Sequence, residues 1–84
     1  MPKKTNSSFF YTVYSKKNCS FCDKAINYLL DNDHHVKVKK IDEEIVYLKE
    51  MREKAPNMRT MPVIFRNNQL IGGYSDLIEF LKNE

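Results

Sequence analysis

Two cysteines stand three residues apart in Lys16-Lys17-Asn18-Cys19-Ser20-Phe21-Cys22. Thiols at that spacing ligate a metal, close a structural disulfide, or exchange disulfides with a substrate. A zinc site wants four ligands, and the other candidates, His34 and His35, lie about twelve residues further on. If the intervening segment is helical, at ~1.5 Å per residue they sit roughly 18 Å away, so no metal is expected. The two histidines then read as an exposed helix terminus. A stabilising disulfide is also disfavoured, because the chain reads as cytoplasmic and a reducing cytosol keeps structural thiols reduced. Exchange chemistry remains.

That chemistry depends on where the pair sits. Phe9 to Tyr14, FFYTVY, is aromatic and β-branched and reads as a buried strand leading into the cysteines. From Cys22, the apolar residues Ala25, Ile26, Leu29 and Leu30 recur at helical spacing until the polar Asp31-Asn32-Asp33. Cys19 therefore falls at a helix N-terminus, where free N–H groups, the dipole's positive end and the charges of Lys16 and Lys17 favour a thiolate. Cys22, on the apolar stripe, is the inner thiol. For a thiol whose pKa falls from ~8.5 to ~5, the thiolate fraction at neutral pH rises roughly 30-fold. Its intrinsic nucleophilicity falls roughly 50-fold for a Brønsted coefficient of ~0.5, so the main gain is as a leaving group. Such a sulfur is suited to taking up an adduct and releasing it repeatedly.

The remaining elements follow from pattern. Val36 and Val38 alternate with lysines in a half-buried strand. Asp42-Glu43-Glu44 are expected to open a second helix, with Lys49, Arg52 and Lys54 toward its end and Pro56 closing it. Pro62 to Phe65, the turn pair Asn67-Asn68 and Gln69 to Ile71 make a hairpin. Gly72-Gly73 lead into a last helix with Ser75 as N-cap candidate, Asp76 near the dipole's positive end, and Leu77, Ile78 and Leu81 as its apolar face. The order is β-α-β-α-β-β-α. Its one crossover gives a parallel strand pair and its hairpin adds antiparallel ones, an α/β fold.

With 84 residues and a mass of 10.0 kDa, the chain is expected to be a single domain over 1–84. The 42% of hydrophobic residues suffice for a small core. The apolar run near the N-terminus is too short for a signal-peptide core or a membrane span, so no membrane partner is expected. A net charge of +3 is modest, Lys37, Lys39 and Lys40 read as a solvated strand face, and no nucleic-acid recognition motif is present.

Three blocks in this order, Tyr14 to Cys22 (YSKKNCSFC), Arg59 to Phe65 (RTMPVIF) and Ile71 to Leu77 (IGGYSDL), resemble the motif blocks of the glutaredoxins. The resemblance covers nearly the whole chain. It implies a thioredoxin fold with a four-stranded mixed sheet, and a monomeric, glutathione-dependent thiol-disulfide oxidoreductase. Its substrates would be protein disulfides and glutathione mixed disulfides, with Cys19 as nucleophile and Cys22 as resolving thiol. By position, it implies that Lys16 pairs a glutathione carboxylate and that Met61 offers backbone hydrogen bonds to the cysteinyl part. The amides of Tyr74 and Ser75 would hold the γ-glutamyl carboxylate, with Asp76 facing its ammonium group. An X-Pro bond is trans by default, whereas the resemblance implies a cis Pro62. Where the family commonly has proline and tyrosine between the cysteines, this chain has Ser20 and Phe21. Serine there resembles members that assemble a [2Fe-2S] cluster between two subunits with glutathione, which makes an iron-sulfur carrier one alternative. The other is a redoxin reduced by thioredoxin reductase and serving ribonucleotide reductase. Lys16 and the GGYSD segment favour glutathione over that rival.

Overall fold

The computed structural model describes residues 9–83. The stretch 1–8, read above for a targeting signal, and residue 84 lie outside the described residues. Seven elements follow the expected order: β1 (Phe10–Ser15), α1 (Ser20–Asp31), β2 (His35–Lys40), α2 (Ile45–Lys54), β3 (Val63–Arg66), β4 (Gln69–Gly72) and α3 (Tyr74–Lys82). The strands form one sheet in the order β2-β1-β3-β4. β1 runs parallel to β2, with Tyr11 opposite Val36 and Val13 opposite Val38. It runs antiparallel to β3, with Val13 opposite Ile64 and Tyr14 opposite Val63. The β3-β4 hairpin turns through Asn67, whose φ of 53° is a left-handed value that asparagine tolerates. This is the mixed sheet of the thioredoxin fold.

Both faces of the sheet are covered, which is why central β1 reads as a continuous apolar run rather than an alternating one. Tyr11 and Val13 on one face, with Ile64, pack against Ala25 and Leu29 of α1 and Leu77 of α3. Tyr14 on the other face, with Val63 and Phe65, packs against Met51 of α2 and the adjoining Ala55. Tyr14 donates its hydroxyl hydrogen to Glu50 of α2, which also pairs with Lys39 of β2.

Four expectations need correction. Leu30 is 53% exposed, because the buried stripe of α1 centres on Leu29 and the next residue lies about 100° round the helix. Val36 is half-buried as expected, but Val38, further along the edge strand, is 37% exposed. Asp42 and Glu43 do not enter the first turn of α2: Glu44 is its N-cap and Ile45 its first residue. Finally, His35 is exposed but His34 is not a free terminal side chain. It is half-buried, its Nδ1 accepts a hydrogen bond from Phe9 N–H at 3.3 Å, and its ring lies 5.0 Å from that of Tyr11.

Candidate active site

Cys19 is the N-cap of α1, with extended backbone, and Ser20 begins the helix. The first turn of a helix has N–H groups with no intrahelical acceptor, and one of these, on Cys22, points at the Cys19 sulfur at 3.3 Å. The loop before it reaches this position through Asn18 in a left-handed conformation, φ 57°. It is also held from outside: Lys17 N–H donates to the Asp42 carboxylate at 3.1 Å, and Ile41 N–H to the Ser15 carbonyl at 2.9 Å. The acidic cluster expected to start α2 thus supplies an anchor for the cysteine loop.

Cys19 and Cys22 are joined as a disulfide with Cα atoms 5.3 Å apart. Cys22 is fully buried and Cys19 half-buried, so a substrate reaches the pair from the Cys19 side. On reduction, the same Cys22 N–H and the open end of α1 face a sulfur that can carry negative charge. Among the described residues no group of three His, Cys, Asp or Glu side chains could hold a metal ion, and no helix is long and apolar enough to cross a membrane.

A cleft of about 350 Å³ opens beside Phe21, the second of the two residues between the cysteines. Its walls bring together Met61, Tyr74, Ser75 and Asp76 from the positions singled out in the sequence. The Met61–Pro62 peptide is cis, as the resemblance implies, and Pro62 is buried behind the cleft rather than lining it. Lys16 is exposed on the cysteine loop and is not part of the cleft wall.

The start of α3 differs from the sequence expectation. Gly73, not Ser75, is the N-cap, and Ser75 is the second helical residue. Asp76, three residues after the cap, accepts the Gly73 N–H at 2.9 Å, so part of its carboxylate serves the helix start. The glycine pair makes this possible. Gly72 adopts φ +125°, and a Cβ there would fall 2.3 Å from Asp76 Oδ2. A Cβ on Gly73 would meet the Pro62 carbonyl at 3.6 Å, so this turn lies directly against the cis-proline loop. The result is a helix N-terminus opening into the cleft, a natural site for a carboxylate.

Sequence reading missed three walls of this cleft: Phe21, Met58 and Thr60. Phe21 stacks on Tyr74 with centroids 5.7 Å apart and joins α1 to α3 across the cleft, while Lys24 Nζ lies 5.3 Å from its centroid. The available signal was an aromatic residue one position off the buried stripe of α1, between two cysteines.

Comparison with known proteins points the same way. The glutaredoxin family model matches residues 11–71. Glutaredoxin-1 of Vaccinia virus (strain Copenhagen) is 35% identical over 77 residues, spanning 81% of this chain and 68% of its own. The crystal structure of wheat glutaredoxin is 27% identical, covers 90% of this chain and 75% of that one, and superposes with a TM-score of 0.73. The dithiolic glutaredoxin of Trypanosoma brucei brucei is 27% identical, covers 99% and 90%, and gives a TM-score of 0.74. Since the family match runs from β1 into β4 and the viral relative shares a third of the aligned residues, the chain belongs to the glutaredoxin family, thiol-disulfide oxidoreductases built on the thioredoxin fold.

Proposed function

We propose that this glutaredoxin is glutathione-dependent and reduces both glutathione mixed disulfides and protein disulfides. The observation that carries this reading is the pairing of a half-buried Cys19 at one helix N-terminus with a cleft that ends at another, that of α3. A glutathione adduct has a sulfur for the first and a carboxylate for the second. The Cys19 thiolate attacks the glutathionyl sulfur, the substrate thiolate leaves, and a Cys19–glutathione disulfide forms. A second glutathione thiolate attacks that adduct, releasing oxidised glutathione and restoring the Cys19 thiolate. With a protein disulfide, the adduct is a Cys19–protein disulfide. The Cys22 thiolate resolves it, giving the Cys19–Cys22 bond, and two glutathiones then reduce that bond. Lys16, exposed on the cysteine loop, can meet the second carboxylate of a tripeptide lying in the cleft, and Asp76 keeps a carboxylate face for its ammonium group. A reducing cytoplasm suits this cycle.

Cys19→Ser should abolish exchange with every substrate. Cys22→Ser should keep turnover of a small glutathione mixed disulfide and lose most reduction of protein disulfides. Both are read as NADPH oxidation coupled through glutathione and glutathione reductase. Equal turnover with thioredoxin reductase alone would replace this reading with the redoxin that serves ribonucleotide reductase. Ser20 motivates the other alternative, a [2Fe-2S] carrier. Because Cys22 is fully buried, Cys19 is the one described thiol that could ligate a cluster shared between copies, and the remaining ligands would come from glutathione and a second chain.

A further inference from the structure

The segment that delivers Cys19 from β1 is three residues long, Lys16 to Asn18. Two neighbouring residues of the β2–α2 connection hold it. The Ser15 carbonyl accepts Ile41 N–H at 2.9 Å, and Lys17 N–H donates to the Asp42 carboxylate at 3.1 Å, so the peptide groups on both sides of Lys16 are clamped. The clamp is itself supported, because Glu43 and Glu44 N–H both donate to the Lys40 carbonyl at 3.2 Å and close a turn around Asp42. Beyond it, Asn18 at φ 57° makes the left-handed step that brings Cys19 to the open end of α1. The two halves of the clamp differ in kind. The Ser15 half runs between backbone groups at a buried residue, and any residue except proline could supply its N–H. The Lys17 half rests on a single exposed side chain.

We propose that Asp42 is a positioning residue for thiol exchange: through Lys17 N–H it sets the loop so that the reduced Cys19 sulfur stays against the Cys22 N–H and the positive end of α1. The inference needs the exchange chemistry of the family and not its dependence on glutathione. A carboxylate acceptor makes a charge-assisted bond, stronger than one to a neutral oxygen. Without it the Lys16–Lys17 peptide is free to turn, the step at Asn18 relaxes, and the sulfur loses time against the N–H that lies 3.3 Å from it. A thiolate that loses a hydrogen bond and a helix dipole forms at higher pH. The charge of Asp42 works in the other direction, since a nearby carboxylate disfavours a thiolate, and at an exposed side chain solvent and salt screen that repulsion. Position and charge therefore give shifts of opposite sign when Asp42 is replaced, which makes the two roles separable.

The test alkylates the reduced full chain and two variants, Asp42→Ala and Asp42→Asn, with iodoacetamide across pH at fixed ionic strength. Cys22 is fully buried, so the first alkylation reports Cys19. Asp42→Ala should raise the pH of half-alkylation by about half to one unit. Asp42→Asn keeps an acceptor of the same shape and should stay within about 0.3 unit of the wild type. The pH profile for attack on a small aromatic disulfide should move with the alkylation curve, and release of the adduct from the alanine variant should slow roughly 2- to 3-fold at neutral pH, as a poorer leaving group requires. Lys16, Lys17, Asp23 in the first turn of α1 and Asp76 in the cleft wall are the same in all three proteins. A lower urea midpoint for Asp42→Ala with an unchanged half-alkylation pH would reduce the carboxylate to a prop of the fold and overturn the proposal. A fall of that pH in both variants overturns it in favour of charge, and an asparagine variant that rises as far as alanine removes the hydrogen bond as the cause. Should the alanine variant not fold, the wild type still decides: the Lys17 amide proton resonance should move in acid as the Asp42 carboxylate takes up its proton, and a resonance that ignores this titration overturns the clamp. None of these readouts uses glutathione, so failure of the glutathione reading would leave them unchanged.

Discussion

At the scale of single residues, the site separates a sulfur that must be reached from one that must wait. Cys22 is withdrawn into the stripe of α1 that also buries Ala25 and Leu29, whereas Cys19 caps the helix and meets the solvent. Lys16 stands three residues before it, exposed and outside the cleft wall, and could act on glutathione or on the thiol. The two roles give different results. If it pairs a glutathione carboxylate, Lys16→Ala raises KM for a glutathionylated substrate roughly 2- to 10-fold, and salt weakens the wild type more than the variant. The pH of half-alkylation of Cys19 then stays nearly fixed. An upward shift of that pH with KM unchanged would assign the lysine to thiolate stabilisation instead.

Among the elements, the start of α3 is the most tightly specified. Gly72 at φ +125° and Asp76 at the third helical position form one unit, because the carboxylate occupies space that any side chain on Gly72 would need. Gly72→Ala should lower stability by about 1 to 3 kcal/mol, through a disfavoured backbone conformation and displacement of the Asp76 cap. Urea unfolding would show a lower midpoint at constant slope. KM for glutathionylated substrate should rise more than kcat falls, since the helix start that faces the cleft moves. An unchanged midpoint would mean that Asp76 relocates without cost. The α1 start is built differently: a left-handed Asn18 and an outside anchor, Asp42 on Lys17 N–H, set its position.

For the molecule as a whole, one polar connection ties α2 to the sheet across the second core. Glu50 is held below the usual carboxylate range, chiefly by its hydrogen bond from Lys39 and then by that from Tyr14. The phenol of Tyr14 is pushed well above its ordinary value by burial and by its bond to Glu50. Because the Glu50 pKa is depressed in the fold, its contribution is present above the unfolded carboxylate pKa of ~4.3 and is lost as pH falls through the folded value. The raised Tyr14 pKa acts at the other end. Its contribution is present below the unfolded phenol value of ~10 and is lost as pH rises beyond it. Glu50→Gln should therefore cost about 1 kcal/mol at pH 7, with the difference from wild type shrinking as the pH is lowered toward 3. Denaturant midpoints at pH 7, 5, 4 and 3 measure this, and a difference independent of pH would assign the loss to packing alone.

The sequence by itself determined the elements and their order, because those depend on local periodicity: the run FFYTVY, the stripe from Cys22 to Leu29, the Asn67-Asn68 turn. It also determined which cysteine is inner, since Cys22 falls in register with Ala25 and Leu29 while Cys19 lies before the helix begins. Where an expectation failed, the deciding contact came from another part of the chain. Asp42 looked like a helix start until Lys17, 25 residues away, took its carboxylate. Ser75 looked like an N-cap until the Gly72 conformation let Asp76 cap from within the helix. His34 looked like an exposed terminus until Phe9 and Tyr11 closed over it. The cleft itself joins Phe21, Met58 and Tyr74 from separate elements, and no local pattern encodes such a meeting. It arises when the sheet sets α1, the cis-proline loop and α3 side by side, because shape complementarity between distant segments is a property of packing and not of sequence spacing.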